Sequence, residues 1–452
     1  LAAGDAKMQD ILSQTGALSS MATIQGMHAD DPELLQLCEQ VLVASGNADF
    51  EHLTADEATD QLKQAHASGE GLAAALANVA KLAVLDGDAR KLMENEDLGT
   101  FNEVVGIVGE LQGPPFDIIV LDSAVSALDQ VPVNANTAQL IIESGCVGKL
   151  LDAMRQYPDN IELLLKCIRI LGKMAINDML KPTIINAGGV ELVIAAMVKH
   201  NVSGACVHCA VNRPRLSLVL HRLILTPPPP PLRHTTPHAH HTRNTPPSPS
   251  QEHPQLMSAC CTATANFAFN STETATRIVG SGGVDAVETV MQKNEHVDRV
   301  LASALQVLSN LMYKNDENKR LICKVCGDEI VHMLRMHSDD IKVFQSGLRA
   351  LGTLVYCEEN CPIIIGEGAT QAIVDGMKVH WSDASSIQLA INVIENLSAE
   401  NTPVSEAPNS VGKNHHPARH GEDSLQVMNS EGASHIIIQA IKTFDLNSGL
   451  IV

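Results

Sequence analysis

The chain has 452 residues, 45% of them hydrophobic but only 2% aromatic, and a formal net charge of −21. That hydrophobic share excludes global disorder, and the length exceeds what one core usually serves. Scarce aromatics favour packed helices of Leu, Ile, Val, Ala and Met over a sandwich or barrel, and the acidic balance excludes wrapping a phosphate backbone, which needs Lys and Arg.

No apolar run approaches the roughly 20 residues of a membrane span. No secretory signal opens the chain, which begins at Leu1 and ends in the apolar Ser448-Gly-Leu-Ile-Val452, so it reads as a fragment. The eleven Cys, among them Cys38, Cys167 and Cys260, lie in apolar segments. They read as small buried hydrophobes in a reducing compartment, which implies a cytoplasmic or nuclear protein.

In chain order, residues 1–138 hold degenerate helical segments, for example Asp31-Pro-Glu-Leu-Leu35 through Val43 and Leu72 through Val84. From residue 139 a short signature recurs, a Gly in a small or acidic cluster followed by an apolar run. It stands at Glu143-Ser-Gly-Cys-Val147, Asn186-Ala-Gly-Gly-Val190 and Gly280-Ser-Gly-Gly-Val284. Weaker forms are Lys324-Val-Cys-Gly-Asp328, Gly366-Glu-Gly-Ala-Thr370 and Ser430-Glu-Gly-Ala-Ser434. With Gly145, Gly188, Gly282, Cys326, Gly368 and Gly432 as markers, the intervals are 43, 94, 44, 42 and 64 residues. Three share one period; the other two are that period with insertions.

Each signature predicts a sharp turn, where Gly avoids a Cβ clash, and then an amphipathic helix such as Val190 to Lys199. A polar break follows, as in Tyr157-Pro-Asp-Asn160 or His337-Ser-Asp-Asp340, and then a longer apolar helix. In the clearest example Val300, Ala304, Val307 and Leu311 form one stripe, and Leu301, Leu305, Leu308 and Met312 form an adjoining one. So wide an apolar arc means a helix buried on most sides, as in a stack.

The two insertions fall in loops. Residues 202–253 have no Lys, no Asp, five Arg, a run from Pro227 to Pro231 and a His-rich stretch from His234 to His241. Removing these residues returns the long interval to the common period. Three readings stay open: a disordered loop without a role, translated non-coding sequence, or a functional loop. In the last, Pro228, Pro231 and Arg233 form a Pro-x-x-Pro-x-Arg ligand for an SH3-like partner, or the basic loop folds onto the acidic body. Residues 401–423 read as a second disordered loop. The chain therefore divides into 1–138, repeats over 139–201, the 202–253 insertion, repeats over 254–400, the 401–423 loop and a partial repeat over 424–452.

Little chemistry is offered. Cys206-Val-His-Cys209 and Cys323-Lys-Val-Cys326 have Cys-x-x-Cys spacing but lie in different repeats, so neither a zinc site nor a redox pair is expected. Gly280-Ser-Gly-Gly283 and Gly366-Glu-Gly368 lack the strand and the Lys-Ser/Thr of a phosphate loop. No nucleophile has a partner base. No catalytic residue, cofactor or metal is expected.

The apolar helices carry one further motif, Ala304-Leu-Gln-Val-Leu308-Ser-Asn310-Leu311, close to Ala390-Ile-Asn-Val-Ile394-Glu-Asn396-Leu397 and recognisable where Ala265-Asn266-Phe267 ends its helix. Motif and period over about residues 139–445 resemble the armadillo repeat family, the solenoids of beta-catenin and importin-alpha type. The resemblance implies an all-α, right-handed superhelical solenoid of three-helix repeats. It implies a non-enzymatic scaffold or adaptor whose third helices line a concave groove for an extended, basic or amphipathic protein segment. Asn side chains there clamp a peptide backbone, because an amide offers a donor and an acceptor together. The matching positions are Asn266, Asn310 and Asn396, with Gly172 and Thr353 standing in the remaining third helices; each Asn could equally satisfy only loop backbone. Gln306, Arg349, Thr353 and Asn392 complete the candidate groove. Importin-alpha-like receptors carry Trp four residues before the Asn, where Thr262, Gln306 and Asn392 stand here. That departure weighs against a nuclear-transport receptor of ordinary type. A divergent cargo receptor and a structural cytoskeletal or ciliary component remain alternatives.

Overall fold

The structure, a computed structural model, describes residues 54–85, 91, 93–94, 99–201, 253–398 and 433–444. The residues proposed as a polyproline ligand (Pro228, Pro231 and Arg233), the Cys206/Cys209 pair and the 401–423 loop lie outside the described residues. Among the described residues every regular element is a helix, and no single helix is long and apolar enough to cross a membrane. They form two compact units that divide after Ala187.

The first unit contains α1 (Ala55–Ser68), α2 (Leu72–Leu85), α3 (Thr100–Glu110), α4 (Ile118–Leu128), α5 (Ala135–Glu143), α6 (Cys146–Gln156), α7 (Ile161–Met174) and α8 (Leu180–Asn186). Helices α2, α4 and α7 lie side by side as one row, and α1, α3 and α6 as a second. Polar caps start three of them: Thr54 closes a capping box with Glu57 at α1, and Asp117 and Asn160 accept amide hydrogens of α4 and α7. Leu76, Val104, Leu121, Val125, Leu150 and Ile168 fill the space between the rows.

Charged side chains tie neighbouring helices of this unit. Asp129, 7% exposed, sits at the C-terminal end of α4, where the helix dipole disfavours a carboxylate. It is held by Arg169 at 2.8 Å and Lys173 at 2.6 Å, both from α7. Lys166 reaches Asp122 of α4 at 2.8 Å.

The second unit contains α9 (Gly189–Asn201), α10 (Pro254–Ala268), α11 (Thr272–Gly280), α12 (Gly283–Lys293), α13 (Asp298–Met312), α14 (Asp316–Met336), α15 (Ile341–Val355), α16 (Cys361–Gly366), α17 (Ala369–Val379), α18 (Ala384–Ser398) and α19 (Ala433–Phe444). Here α10, α13, α15 and α18 form the row of third helices, and α9, α12, α14, α17 and α19 the row of second helices. The two stripes read on α13 are buried, with Val300, Leu301, Ala304, Leu305, Val307, Leu308, Leu311 and Met312 all at or below 1% exposure.

The marker glycines make the turns between first and second helices. Gly145, Gly188, Gly282 and Gly368 have φ of 71, 89, 82 and 80°, the left-handed region that favours glycine. Gly99, which the repeat period does not mark, holds the same conformation at φ 68° before α3. At Cys326 the expected turn is absent. Cys326 and Gly327 lie inside one continuous helix of 21 residues, α14. Entering the left-handed region costs a cysteine about 1–2 kcal/mol, so the chain keeps the right-handed helix there and fuses the first helix to the second.

Candidate functional site

The third-helix row of the second unit brings together every described candidate residue. Asn266, Asn310, Thr353 and Asn396 share one register, each third from the end of α10, α13, α15 or α18. All four are half-buried. One turn earlier, Thr262, Gln306, Arg349 and Asn392 form a second column, and all are exposed. The register follows from the buried stripes: once Ala304, Leu308 and Leu311 face inward, Gln306 faces outward.

Hydrogen bonds link neighbouring third helices along this face. Asn310 Nδ2 donates to the Ala265 carbonyl at 2.8 Å. The hydroxyls of Ser258 and Ser303 meet at 3.3 Å, as do those of Ser309 and Thr353. Gln345 Nε2 donates to Asp383 at 3.0 Å and to Ser386 Oγ at 3.1 Å. The Ser386 hydroxyl and amide hold the Asp383 carboxyl below the usual carboxylate range. The candidate amides are thus not equivalent: Asn310 braces a neighbour, whereas Asn392 Oδ1 accepts from Gln388 within its own helix at 2.9 Å.

The face is not acidic. Its charged side chains in α10, α13, α15 and α18 are Arg299, Lys342 and Arg349 against Asp298 and Glu395, and Asp298 is bonded to His337 Nδ1 at 2.7 Å. Much of the net negative charge lies elsewhere, since residues 1–138 hold 22 Asp and Glu against 5 Lys and Arg.

A third set of residues carries no mark in the repeat motif. Immediately after α10, α13 and α15 stand Phe269, Tyr313 and Tyr356, exposed by 62, 45 and 68%. They continue the two columns at helical spacing, as in Thr262, Asn266, Phe269 and Gln306, Asn310, Tyr313. Phe269 and Tyr313 leave their helices alike, at φ −57 and −58° and ψ 123 and 121°. The next residues, Asn270 and Lys314, both have positive φ, 55 and 52°. The only sequence signal for this set is an aromatic three residues after the Asn position, whereas the importin-alpha-like pattern places its aromatic four residues before it.

The thiols here are not poised to react. Burial pushes Cys261 up to about 12 and Cys260 well above the ordinary thiol range. Of the Cys-x-x-Cys pair on α14, burial raises Cys323 to about 11 and Cys326 well above its usual value. Among the described residues no group of three His, Cys, Asp or Glu is placed to hold a metal ion.

Compared with known proteins, no family model matches the chain, and no curated protein matches it. Among solved structures, an engineered protein is 18% identical with a TM-score of 0.48, covering 65% of this chain and 98% of its own. A designed armadillo repeat protein is 14% identical with a TM-score of 0.47, over 65% of this chain and 99% of its own. A structure of the cadherin and beta-catenin interaction is 15% identical with a TM-score of 0.51, covering 85% of this chain and 58% of the other. That last likeness and the recurring three-helix unit with its left-handed glycine agree: the chain has the armadillo-repeat fold.

Proposed function

We propose that this chain is a non-enzymatic scaffold or adaptor that holds an extended segment of a protein partner along the third-helix face of its second unit. The observation that carries the reading is the exposed polar column Thr262, Gln306, Arg349 and Asn392, repeated on four successive third helices. A stack that buries its apolar residues between rows leaves such a column free for recognition. Amide side chains suit a main chain, since one amide can both donate to and accept from a peptide unit. The solved relative named for the cadherin and beta-catenin interaction is consistent with protein binding. The charges refine the expected partner: an amphipathic segment fits Arg299, Lys342 and Arg349 better than a uniformly basic one.

The test is site-specific photo-crosslinking in the full chain, with the crosslinker at Gln306 or Asn392 and, as control, at Gln292, exposed on the second-helix row. Partner adducts from the third-helix positions but not from Gln292 support the reading. Equal adducts from both rows, or adducts from Gln292 alone, overturn it. A purely structural spacer would show none above background at any position.

A further inference from the structure

The row Phe269, Tyr313 and Tyr356 calls for its own explanation. The chain has seven Phe, three Tyr and one Trp, yet three of these side chains stand exposed at one register of three consecutive repeats. Burying such rings is the usual way to stabilise a core, so their exposure forgoes that gain.

The surroundings of the rings indicate what they meet. Lys314 Nζ lies 5.1 Å from the centre of the Tyr313 ring, and Lys319 Nζ lies 5.9 Å from that of Tyr356. The Tyr313 and Tyr356 rings therefore each take an ammonium group on one side, which the negative face of an aromatic ring favours. Carboxylates follow each ring closely: Glu273 after Phe269, Asp316 and Glu317 after Tyr313, Glu358 and Glu359 after Tyr356. All five are exposed. Asp316 is bonded to Lys319 and Glu359 to Arg320, both at 2.7 Å. Exposed rings with exposed carboxylates two to four residues further on offer both partners a guanidinium uses, a face to stack on and an acid to pair with.

Resting on the third-helix reading above, we propose that Phe269, Tyr313 and Tyr356 form a docking edge for the cationic side chains of an extended protein segment. One arginine or lysine meets each ring. Packed helices lie roughly 8–10 Å apart and a polyproline-II strand rises about 3.1 Å per residue, so the cations recur at about every third position. The partner thus carries its cations along this edge, at the opposite helix ends from Arg299 and Lys342.

The experiment uses the full chain and a fluorescent synthetic peptide with arginine at every third position and small neutral residues between, read by anisotropy. Its control has citrulline, a neutral isostere, for each arginine. The arginine peptide should bind and the citrulline peptide should bind roughly tenfold or more weakly, the loss expected for three exposed cation–π contacts. The Phe269→Ala, Tyr313→Ala, Tyr356→Ala triple variant should lose the arginine peptide to a similar degree with unchanged helicity by circular dichroism. Tyr313→Phe with Tyr356→Phe keeps the rings and should bind like the parent. A triple variant that binds as well as the parent overturns the proposal, as does a parent that prefers neither peptide or binds neither. If Gln306→Ala with Asn392→Ala weakens the peptide while the triple variant does not, the third-helix reading stands and the aromatic edge falls. If only the triple variant weakens it, the edge stands and the polar column is not the contact.

Discussion

Asn310 on α13 donates its side-chain amide to the Ala265 carbonyl on α10 at 2.8 Å, so one third helix braces the one before it. That carbonyl also accepts from the Phe269 amide at 2.9 Å. The Asn best placed by its motif to clamp a partner therefore uses its donor within the fold. Asn310→Ala should lower stability by about 1 kcal/mol, the usual net worth of one such bond. Asn392→Ala, which removes an exposed side chain bonded, among the described residues, only to Gln388 of its own helix, should change it by less than about 0.5 kcal/mol. Urea unfolding of both variants beside the parent decides; equal midpoints for the two would show that the brace carries no energy.

Two glycines at α6 should answer alanine in opposite directions. Gly145, before the helix, has φ 71° and open space where a Cβ would stand, so only backbone strain opposes the methyl group. Gly145→Ala should cost about 1–2 kcal/mol. Gly148, inside α6, also has open space but an ordinary helical backbone, and Gly148→Ala should gain roughly 0.5–1 kcal/mol. Thermal melts suffice, and a loss at Gly148 or a gain at Gly145 contradicts the assignment of the turn.

Gly376 offers a packing test. A Cβ there would lie 2.1 Å from Phe344 Cε2 and 2.6 Å from Cζ. Phe344 is fully buried and stacked on His380, with ring centres 5.1 Å apart, so the ring has nowhere to move. Gly376→Ala should cost about 1–3 kcal/mol from overpacking. Adding Phe344→Leu should cost less in that background than in the parent, a coupling readable in a double-mutant cycle.

In the first unit, His66 of α1 bonds through Nδ1 to Glu103 and through Nε2 to Glu110 at 3.1 Å, both on α3. The Glu103 carboxylate, with Glu110, raises the imidazole above its ordinary 6.5 against the opposing effect of burial. A raised folded value means that the stabilisation is fully present below the unfolded value and is lost as pH rises through the folded one. The stability difference between the parent and His66→Gln should therefore be largest near about pH 6 and shrink by about pH 8. A difference that is flat with pH, or grows toward alkaline pH, would show that the imidazolium is not what joins α1 to α3.

The armadillo signature was legible because its cause is local. Gly145, Gly188, Gly282 and Gly368 stand where φ must be positive, a requirement that acts on single residues and so leaves a period in the sequence. The apolar stripes of α13 were legible for a similar reason, since burial on most sides demands apolar residues at fixed spacings. Gly99 escaped because it stands alone, without the small neighbours that mark the later turns.

What remained was decided between helices. The continuous course of α14 through Cys326 is the local exception, since a cysteine keeps the right-handed backbone that the marker glycines leave. The sequence alone marked Asn266, Asn310 and Asn396 as equals, and only packing shows that the Asn310 amide reaches the Ala265 carbonyl, because that contact depends on the helix beside it. Phe269, Tyr313 and Tyr356 stand out only because the stack leaves them exposed. Periodicity follows from bonds within one chain segment and is written residue by residue; exposure follows from which segments meet, and only the tertiary structure determines that.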